Sequence, residues 1–478
     1  MNAETPHGGR AVVIGGGIAG LAAAHRLVTA GWRVTVLEAT DRLGGKLRAG
    51  EIAGVRVDLG AESMLARRPE AVDLARAVGL GDLLQPPATT TAAIWTRDAL
   101  RPMPQGHVMG VPGSPDAVAG LLSAEGLARV ARETDLPPDA VADDDVAVGA
   151  YVAGRFGREV VDRLVEPLLG GVYAGDAYRI SMRAAVPSLF DAVRAHGTLT
   201  EAVRAVQRAQ RNGQPQTGPA FMGIEGGIGR LPLAVADAIT AHGGRIRTRT
   251  PVRGLVRRPD GWQVRTEEET LHADAVVVAT PAGPAAALLA AESPAAAAGL
   301  AGVEYASMAL VTLAFRRADA RALPAGSGFL VPPVDGRTIK ASTFSSQKWQ
   351  WVADGSPDLV VLRTSVGRYG DEEYLGREDA DLVAVSLADL AAATGLSARP
   401  VATEVTRWTG GLPQYPVGHL ARVRRIQDAV AGLPGLRVCG AVYEGVGIPA
   451  CVASGRRAAD EILATPTLAR GTRTEGRE

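Results

Sequence analysis

The stretch from Arg10 to Gly20 reads RAVVIGGGIAG, an apolar run followed by glycines in the spacing GxGxxG. The run is typical of a buried parallel strand, and Ile18 to Ala30 has the pattern of the helix that follows such a turn. In this arrangement Gly15 makes the turn, Gly17 lets a pyrophosphate approach the backbone, and Gly20 lets the helix pack closely on the strand. The free N–H groups and the dipole of the helix N-terminus favour an anion there. The stretch therefore predicts a dinucleotide-binding βαβ unit.

A second strand, expected from Trp32 to Leu37, ends in an acid at Glu38. At this distance from Gly20 the fingerprint places a carboxylate on the hydroxyls of an adenine ribose, which argues against a 2′-phosphate. A glycine-rich turn alone is weak evidence in a chain with 58 glycines. Because strand, helix and acid agree, the pattern favours a dinucleotide over the alternative, a doubly wound turn without a nucleotide.

The segment DRLGGK, Asp41 to Lys46, directly follows the second strand. Arg42 can neutralise phosphate, and Gly44 and Gly45 let the backbone pass beside a cofactor. The alternative is that Arg42 and Lys46 form a solvated surface pair. This RxGG element resembles that of FAD proteins in the amine oxidase and protoporphyrinogen oxidase superfamily, and simple NAD dehydrogenases lack it. The resemblance implies FAD as the cofactor.

Composition limits the range of partners. The chain has 478 residues, enough for two or three domains with a substantial core. Lys plus Arg and Asp plus Glu number 51 each, so we expect no long-range attraction to nucleic acid or to an acidic membrane. Two cysteines, Cys439 and Cys451, offer neither a disulfide framework nor the spacing of metal ligands. We therefore expect no metal and a reducing, cytoplasmic setting.

No membrane-targeting segment is expected. Met1 to Arg10 is polar and lacks the apolar core of a signal peptide. The uncharged stretch from Ala275 to Ala291 is interrupted by Pro281 and Pro284. We therefore predict no transmembrane helix.

The order of patterns predicts an α/β fold, in which a Rossmann-like FAD-binding domain is combined with a discontinuous α+β substrate domain of mixed sheet and helices. The FAD-binding parts are expected at residues 1–85, 219–295 and 406–464, the helical part of the substrate domain at 86–218, its sheet at 296–405, and a disordered tail at 465–478. Helices are expected at Pro115–Leu122, Ala124–Glu133, Val146–Phe156, Arg158–Leu169 and Leu189–Arg211, and a last helix from Ala450 to Leu463.

Two internal segments narrow the resemblance. ESMLARRPEA, beginning at Glu62, and EPLLGGVYAGD, beginning at Glu166, are similar to the bacterial protoporphyrinogen and coproporphyrinogen III oxidases. The RWTGGLPQYPVGH segment around Trp408, interpreted as a loop, and the closing VYEGVGIPACVASGRRAADEIL extend the similarity over nearly the whole chain. The resemblance implies an enzyme of heme biosynthesis that removes six electrons from coproporphyrinogen III, gives coproporphyrin III, and uses O2 as acceptor with H2O2 as by-product.

The resemblance also implies a set of cofactor-binding residues. The sequence shows no Ser/His/Asp cluster, and no catalytic residue is assigned from it. For Val252 the alternative to cofactor contact is a place in the sheet core. For Trp408 the alternative is packing in the core. Many relatives have Asp where this chain has Ala450, which leaves the charge at the pyrimidine edge of the flavin open. The implied set is Gly15, Gly16, Gly17, Ile18, Ala19, Gly20, Glu38, Ala39, Arg42, Lys46, Gly60, Ala61, Glu62, Ser63, Val252, Trp408, Val446, Gly447 and Ile448.

Substrate propionates require cations. Arg97 is the first candidate and Arg68 the second, while Arg67, Arg101 and Lys340 are further candidates. Gly171 either lets the backbone approach a flat macrocycle or ends a helix. By resemblance, the partners are a porphyrinogen, molecular oxygen and, transiently, a ferrochelatase.

Other functions remain possible from the sequence. Protoporphyrinogen carries two propionates and coproporphyrinogen four, and the sequence does not choose between them. An amine oxidase needs an aromatic cage, and aromatic residues are only 4% of this chain. A carotenoid desaturase usually needs an apolar membrane-docking surface, and the sequence does not indicate one. A non-catalytic binder with the same fold is disfavoured by the intact glycines, Glu38 and Arg42.

Overall fold

The computed structural model describes residues 8–138, 144–212 and 218–464. The predicted tail at 465–478 and residues 1–7 of the N-terminal segment lie outside these ranges. The strands are β1 Arg10–Ile14, β2 Arg33–Leu37, β3 Ala49–Ile52, β4 Val55–Asp58, β5 Met64–Leu65, β6 Leu84–Gln85, β7 Ala93–Thr96, β8 Ala99–Pro102, β9 His107–Val108, β10 Val111–Pro112, β11 Phe221–Ile224, β12 Arg245–Arg247, β13 Gly254–Arg258, β14 Gly261–Arg265, β15 Thr270–Ala273, β16 Ala275–Val278, β17 Tyr305–Arg316, β18 Gly328–Leu330, β19 Ile339–Thr343, β20 Leu359–Val366, β21 Ala402–Pro413 and β22 Leu436–Val438.

The helices are α1 Ile18–Thr29, α2 Glu70–Ala77, α3 Ala124–Ala131, α4 Val148–Phe156, α5 Arg158–Val160, α6 Glu166–Tyr173, α7 Met182–Ala185, α8 Pro187–Ala195, α9 Leu199–Asn212, α10 Arg230–Ala241, α11 Ala282–Leu289, α12 Pro294–Ala301, α13 Ser345–Lys348, α14 Gln350–Asp354, α15 Asp379–Thr394, α16 His419–Ala431 and α17 Ile448–Ala464.

The opening strand lies at the centre of a five-stranded parallel sheet in the order β12-β2-β1-β16-β22. In β1, Ala11 pairs with Val34 of β2 on one side and with Ala275 of β16 on the other. The sheet is apolar on both faces because α1, α2, α10 and α17 cover one face, and α11, α12, α16 and the three-stranded sheet β13-β14-β15 cover the other. The α/β fold predicted from the sequence is confirmed.

This parallel sheet is assembled from separate parts of the chain. Its strands come from residues 10–37, 245–278 and 436–438. Part of the stretches between them covers this sheet, as α2, α10, α11, α12 and α16, and the rest builds the other half of the molecule. The opening turn and the closing helix, far apart in sequence, therefore belong to one sheet and its helical layer.

The other half contains a seven-stranded sheet in the order β21-β17-β20-β19-β18-β7-β8. Its pairs are antiparallel except for β18 with β7. A hairpin, β7–β8, joins this sheet from the mainly helical segment. Helices α4 to α9 share a separate apolar core, and α15 packs on one face of the sheet. The Trp408 segment, interpreted as a loop, is part of strand β21. This strand runs through the domain boundary expected after residue 405 and stays in the seven-stranded sheet to Pro413.

The long helix predicted over Leu189–Arg211 is wrong in one respect, since α8 ends at Ala195 and α9 begins at Leu199. The buried carboxylate of Glu133 explains the break. It accepts hydrogen bonds from the backbone N–H groups of Leu199 at 2.7 Å and Thr200 at 3.2 Å, which are free at the start of a helix. A partner distant in sequence therefore begins a new helix within a continuous helical pattern.

Two other helix predictions also differ from the structure. The segment predicted as a helix over Pro115–Leu122 forms only a 3₁₀ turn at Pro115–Val118. The segment Arg158–Leu169 contains a π-helical turn at Val161–Val165, and its helix continues to Tyr173. Within the described residues, none of the helices combines the length and the apolar character needed to cross a membrane.

Candidate cofactor and substrate site

The opening turn has the geometry of a phosphate cradle. The Gly15 N–H donates to the carbonyl of Leu37 at 2.8 Å, and Gly15 has a φ of 113°, which side chains rarely adopt. A β carbon on Gly20 would clash with the Gly15 carbonyl oxygen, whereas a β carbon on Gly17 would meet no heavy atom of the described residues within 4 Å. The turn is thus closed by Gly15 and Gly20 and open at Gly17, as pyrophosphate binding requires.

Glu38 lies directly against this turn. One carboxylate oxygen accepts from the Gly16 N–H at 2.7 Å, and the other accepts from the N–H and the hydroxyl of Thr40, both at 2.8 Å. The Thr250 N–H donates to the Glu38 carbonyl at 2.9 Å, which places the segment leading to Val252 beside the same end of β2. Glu38 and the Val252 segment therefore share the end of the sheet at which an adenosine is predicted.

The RxGG loop folds over the glycine turn. The Gly44 N–H donates to the Gly16 carbonyl at 2.9 Å, and Gly17 and Gly44 form an isolated β-bridge. Gly44 and Gly45 have φ values of 97° and 57°, so both occupy the left-handed region that favours glycine. The two glycine motifs predicted to hold the cofactor are in direct contact.

Four further residues of the predicted set meet next to this loop. The Trp408 indole N–H donates to the Leu59 carbonyl at 3.1 Å, and the Arg42 guanidinium lies 5.6 Å from the centre of the Trp408 ring. A β carbon on Gly60 would clash with the Lys46 carbonyl oxygen and would lie 3.2 Å from the Trp408 ring. Arg42, Lys46, Gly60 and Trp408 therefore form one wall, to which both halves of the molecule contribute.

The Glu62 side chain is buried and turned toward the seven-stranded sheet. It forms ion pairs with Lys348 and, at 3.2 Å, with Arg363, which also donates to the Gly60 carbonyl at 2.7 Å. Burial alone would raise the pKa of Glu62, but the charges of Arg363 and Lys348 outweigh it and hold that pKa below its usual range. These two cations fix the position of the Gly60–Ser63 backbone.

Sequence reasoning missed Lys348 and Arg363 and gave no role to the side chain of Asp58, which is buried. The Asp58 carboxylate accepts from the Ile228 N–H at 2.8 Å and the Gly229 N–H at 3.0 Å, just before α10. Burial raises the pKa of Asp58 to about 7. The partners lie about 170 to 300 positions away in the chain, so no local pattern indicates them.

The closing helix reaches the same place. A β carbon on Gly455 would clash with the Ala19 carbonyl oxygen, so α17 packs against α1 with almost no separation. The side chains of Lys46 and Cys451 are close enough to perturb each other, and burial lowers the pKa of Lys46. The helix begins at Ile448, two residues earlier than predicted. Its first turn therefore lies beside the RxGG loop, and its N–H groups have no partner within the helix.

A tyrosine and a histidine hold the loop that enters α17. The Tyr415 hydroxyl donates to the Ala441 carbonyl and accepts from the Gly445 N–H at 2.9 Å. The His419 ring stacks on Tyr415 at 3.9 Å, and its Nε2 lies 2.9 Å from the Val442 carbonyl oxygen. Burial lowers the pKa of His419 to about 4, so the ring is neutral and Nε2–H donates to that carbonyl.

Val446, which follows Gly445 in this loop, packs against the helical core that contains Tyr173 and Tyr415. The Val446–Ile448 backbone therefore lies between the helical core and the parallel-sheet half. Neither Tyr415 nor His419 was predicted as a site residue, because each looks like an ordinary core residue in the sequence.

The two basic residues favoured for propionates are engaged with the protein. Arg97 lies in the β7–β8 turn with a φ of 51°, forms an ion pair with Glu159 and donates to the Leu121 carbonyl. Arg68 is exposed and pairs with Glu70 at 2.9 Å. Substrate binding by Arg97 and Arg68 stays a prediction.

Gly171 does not end a helix, since α6 continues past it to Tyr173 and ends where Ala174 adopts a left-handed conformation. That alternative is wrong. Gly171 is exposed, and a β carbon on it would lie 3.7 Å from Leu330 of β18. Contact of Gly171 with the macrocycle stays a prediction.

The comparisons with known proteins agree with this geometry. The family model described as flavin containing amine oxidoreductase matches residues 18–463. A Mycobacterium tuberculosis H37Rv protein named coproporphyrinogen III oxidase is 37% identical over 457 residues, covering 94% of this chain and 96% of that relative. A Bacillus subtilis 168 protein of the same name is 33% identical over 465 residues, with 95% and 97% covered.

A solved structure is similar over the same extent. The crystal structure of an Exiguobacterium sp. 255-15 protein named for protoporphyrinogen oxidase activity superposes with a TM-score of 0.84 at 32% identity, covering 96% of this chain and 99% of that one. The open cradle at Gly17, the acid at Glu38 and the family match identify the cofactor as FAD. The chain belongs to the flavin containing amine oxidoreductase family.

Proposed function

We propose that this protein is a coproporphyrinogen III oxidase of heme biosynthesis, which removes six electrons from coproporphyrinogen III to give coproporphyrin III. The observation that carries the proposal is the end-to-end similarity to proteins with that name, at 37% identity over 94% of the chain. The similarity includes both the parallel-sheet half and the seven-stranded sheet, so it extends beyond the segments that bind FAD.

FAD supplies the two-electron oxidation when it is bound. The chain's own residues bind the cofactor and the substrate and orient them relative to each other. The Gly15–Gly20 turn and Glu38 hold the pyrophosphate and the ribose, and the N-terminus of α17 favours negative charge near Val446–Ile448. Helices α4–α9 and the seven-stranded sheet form the other half of the molecule, which we propose shields the site from water. No metal or acid–base triad is needed for this division of work.

The carboxylates of the substrate need cations near the entrance to the site. Arg97 and Arg68 are proposed for this role because an arginine fork matches a carboxylate. Arg97 is paired with Glu159 in the free protein, so a propionate would share or replace that partner. Gly171, exposed on α6, is proposed to let the backbone approach the macrocycle.

We also propose that O2 reoxidises the protein with release of H2O2, that the reaction occurs in the cytoplasm, and that the product passes transiently to a ferrochelatase. The resemblance to soluble, oxygen-dependent relatives supports these points. Two buried free thiols, Cys439 and Cys451, suit a reducing compartment.

The second candidate is protoporphyrinogen IX oxidation, favoured by the name of the Exiguobacterium structure. The purified protein is supplied in air with each porphyrinogen separately, and product spectra, oxygen uptake and H2O2 are followed. We expect kcat/KM for coproporphyrinogen III to exceed that for protoporphyrinogen IX at least tenfold. The reverse ratio would assign the second candidate, and no oxidation of either would dismiss both.

A further inference from the structure

Lys340 is a buried lysine at an irregularity in β19. In the pairing of β19 with β20, Ile339 is opposite Val366 and Ala341 is opposite Ser365, so Lys340 is the extra residue of a β-bulge. Its residue surface is only 8% exposed. Bulges redirect a side chain relative to the regular alternation of a strand and are frequent next to active sites.

The ammonium group lies on the sheet face that contacts the cofactor half. Its Nζ donates to the Gly367 carbonyl at 2.8 Å and lies 3.9 Å from Met308 Sδ. Met308 is directly opposite Trp408 in the pairing of β17 with β21, so these two side chains share one face. Trp408 in turn contacts Leu59 and Gly60 of the predicted FAD wall.

On its other side, Lys340 adjoins the segment predicted to meet the macrocycle. The next residue, Ala341, is opposite Leu330 of β18. The Leu330 side chain lies 3.7 Å from the position of a β carbon on Gly171. Lys340 is therefore located between the Trp408 wall and the Gly171 helix, the two sides from which cofactor and substrate are expected.

The charges around Lys340 disfavour its protonated form. Among the ion pairs of the described residues, none joins Lys340 to a carboxylate, and the neighbouring cation is the buried Arg368, which donates to the Val331 carbonyl at 2.9 Å. Burial, with the charge of Arg368, lowers the pKa of Lys340 to about 7. Glu166 at the start of α6 and Asp371 face Arg368, and burial raises the pKa of Glu166 to about 7.

We propose that Lys340 accepts the proton that the substrate loses in each two-electron step. The inference rests on the proposed function. Each two-electron step would break a meso C–H bond, whose electron pair leaves as hydride to the bound oxidised flavin, and would release one proton as the new double bond forms. Over the three steps two of these protons come from pyrrole N–H groups and one from the remaining meso CH2 carbon, so that the product keeps two N–H groups. The released proton moves to the free electron pair of Lys340 Nζ, and the resulting ammonium returns it to solvent before the next step.

The direct test is the pH dependence of flavin reduction by coproporphyrinogen III under anaerobic conditions. In the wild-type protein we expect the rate constant to rise with pH through about 7, as Lys340 loses its proton. Lys340→Met is expected to lower the rate by about a hundredfold or more, within the range for a lost general base, and to abolish this limb of the profile. Lys340→Gln, which keeps an N–H donor for the Gly367 carbonyl, is expected to behave in the same way.

Two controls separate chemistry from structure. Glu166→Gln removes a second group in the surroundings of Lys340 and Arg368 that titrates near neutral pH, and the limb should remain. Thr364→Val removes the buried hydrogen bond, 2.7 Å long, from the Thr364 hydroxyl to that of Ser386 on α15. This variant should lower Tm and leave the limb of the pH profile in place.

A readout independent of activity is the pH dependence of Tm. Because the folded pKa of Lys340 lies below that of the unfolded lysine, the unfolded chain binds more protons between about pH 7 and 10.5. The Tm of the wild-type protein should therefore rise relative to that of Lys340→Met as the pH increases through this window.

Several outcomes would overturn the proposal. A wild-type rate without a limb between about pH 6 and 8.5, or a limb that survives in Lys340→Met or disappears in Glu166→Gln, excludes the assignment. A raised KM with an unchanged rate and limb would make Lys340 a carboxylate-binding residue instead. A wild-type protein that binds FAD but oxidises no porphyrinogen fails earlier, at the proposed function, so the two failures are distinguishable.

Discussion

Gly455 of α17 packs directly on the backbone of Ala19 in α1, so closely that a β carbon on Gly455 would clash with the Ala19 carbonyl oxygen. This contact joins the last helix of the chain to the helix that follows the GxGxxG turn. It holds the α17 N-terminus and the phosphate cradle in one fixed relation. One bound FAD can therefore contact both.

Gly455→Ala is expected to lower the free energy of unfolding by about 1–3 kcal/mol, because the methyl group forces the two helices apart. It should also reduce the FAD content of the purified protein. Gly283→Ala in α11 is the matched control, since a β carbon there meets nothing within 4 Å and the helix should be unchanged or slightly stabilised. Urea unfolding and flavin absorbance measure both effects, and equal behaviour of the two variants would refute the close contact.

Tyr415→Phe is expected to lower stability by about 1–3 kcal/mol and to weaken FAD binding, because the Ala441 carbonyl and the Gly445 N–H both lose their partner. Tyr443→Phe is the control. The Tyr443 hydroxyl is also buried but has no hydrogen-bond partner among the residues that the structure describes, so its removal should cost little or be stabilising. Isothermal titration of the apoprotein with FAD compares the two. Equal FAD affinities would remove Tyr415 from the positioning of the α17 loop.

His419 should make stability depend on pH below neutrality. Its pKa is about 4 in the folded protein and about 6.5 in the unfolded chain, so the unfolded chain binds more protons between these values. Stability contributed by the neutral ring is present above about pH 6.5 and lost as the pH falls toward 4, by up to about 3 kcal/mol. His419→Gln should flatten this part of the curve. Parallel curves of unfolding free energy against pH for the wild-type protein and His419→Gln would contradict the expectation.

Arg97→Ala is expected to raise the KM for coproporphyrinogen III more than it changes FAD content, because it removes a cation for a propionate. Glu159→Gln breaks the same ion pair but leaves Arg97 in place, so its KM should stay near that of the wild type. Steady-state kinetics and flavin absorbance separate the two effects. If both variants share one phenotype, the Arg97–Glu159 pair is structural.

The cofactor half could be predicted because its signals are local. The turn at Gly15–Gly20 and the acid at Glu38 stand within one βαβ unit, so spacing alone carries their geometry. The closing helix was predicted to within two residues of its start, because its apolar pattern is continuous.

The substrate half was harder to predict because its decisive contacts are distant in sequence. The break before α9 depends on Glu133, and the burial of Glu62 depends on Lys348 and Arg363. The parallel pairing of β7 with β18 and the bulge at Lys340 also arise only when strands from distant segments meet. Periodicity within one segment does not contain this information.

The most direct test of the account is anaerobic mixing of the purified, FAD-containing protein with coproporphyrinogen III while the flavin absorbance is recorded. We predict that the protein is isolated yellow, that the porphyrinogen bleaches this colour by a first two-electron step, and that air restores the colour and lets coproporphyrin III accumulate. A colourless protein that does not take up added FAD, or a yellow one that no porphyrinogen bleaches, would contradict the convergence of the opening turn and the closing helix on a catalytic flavin.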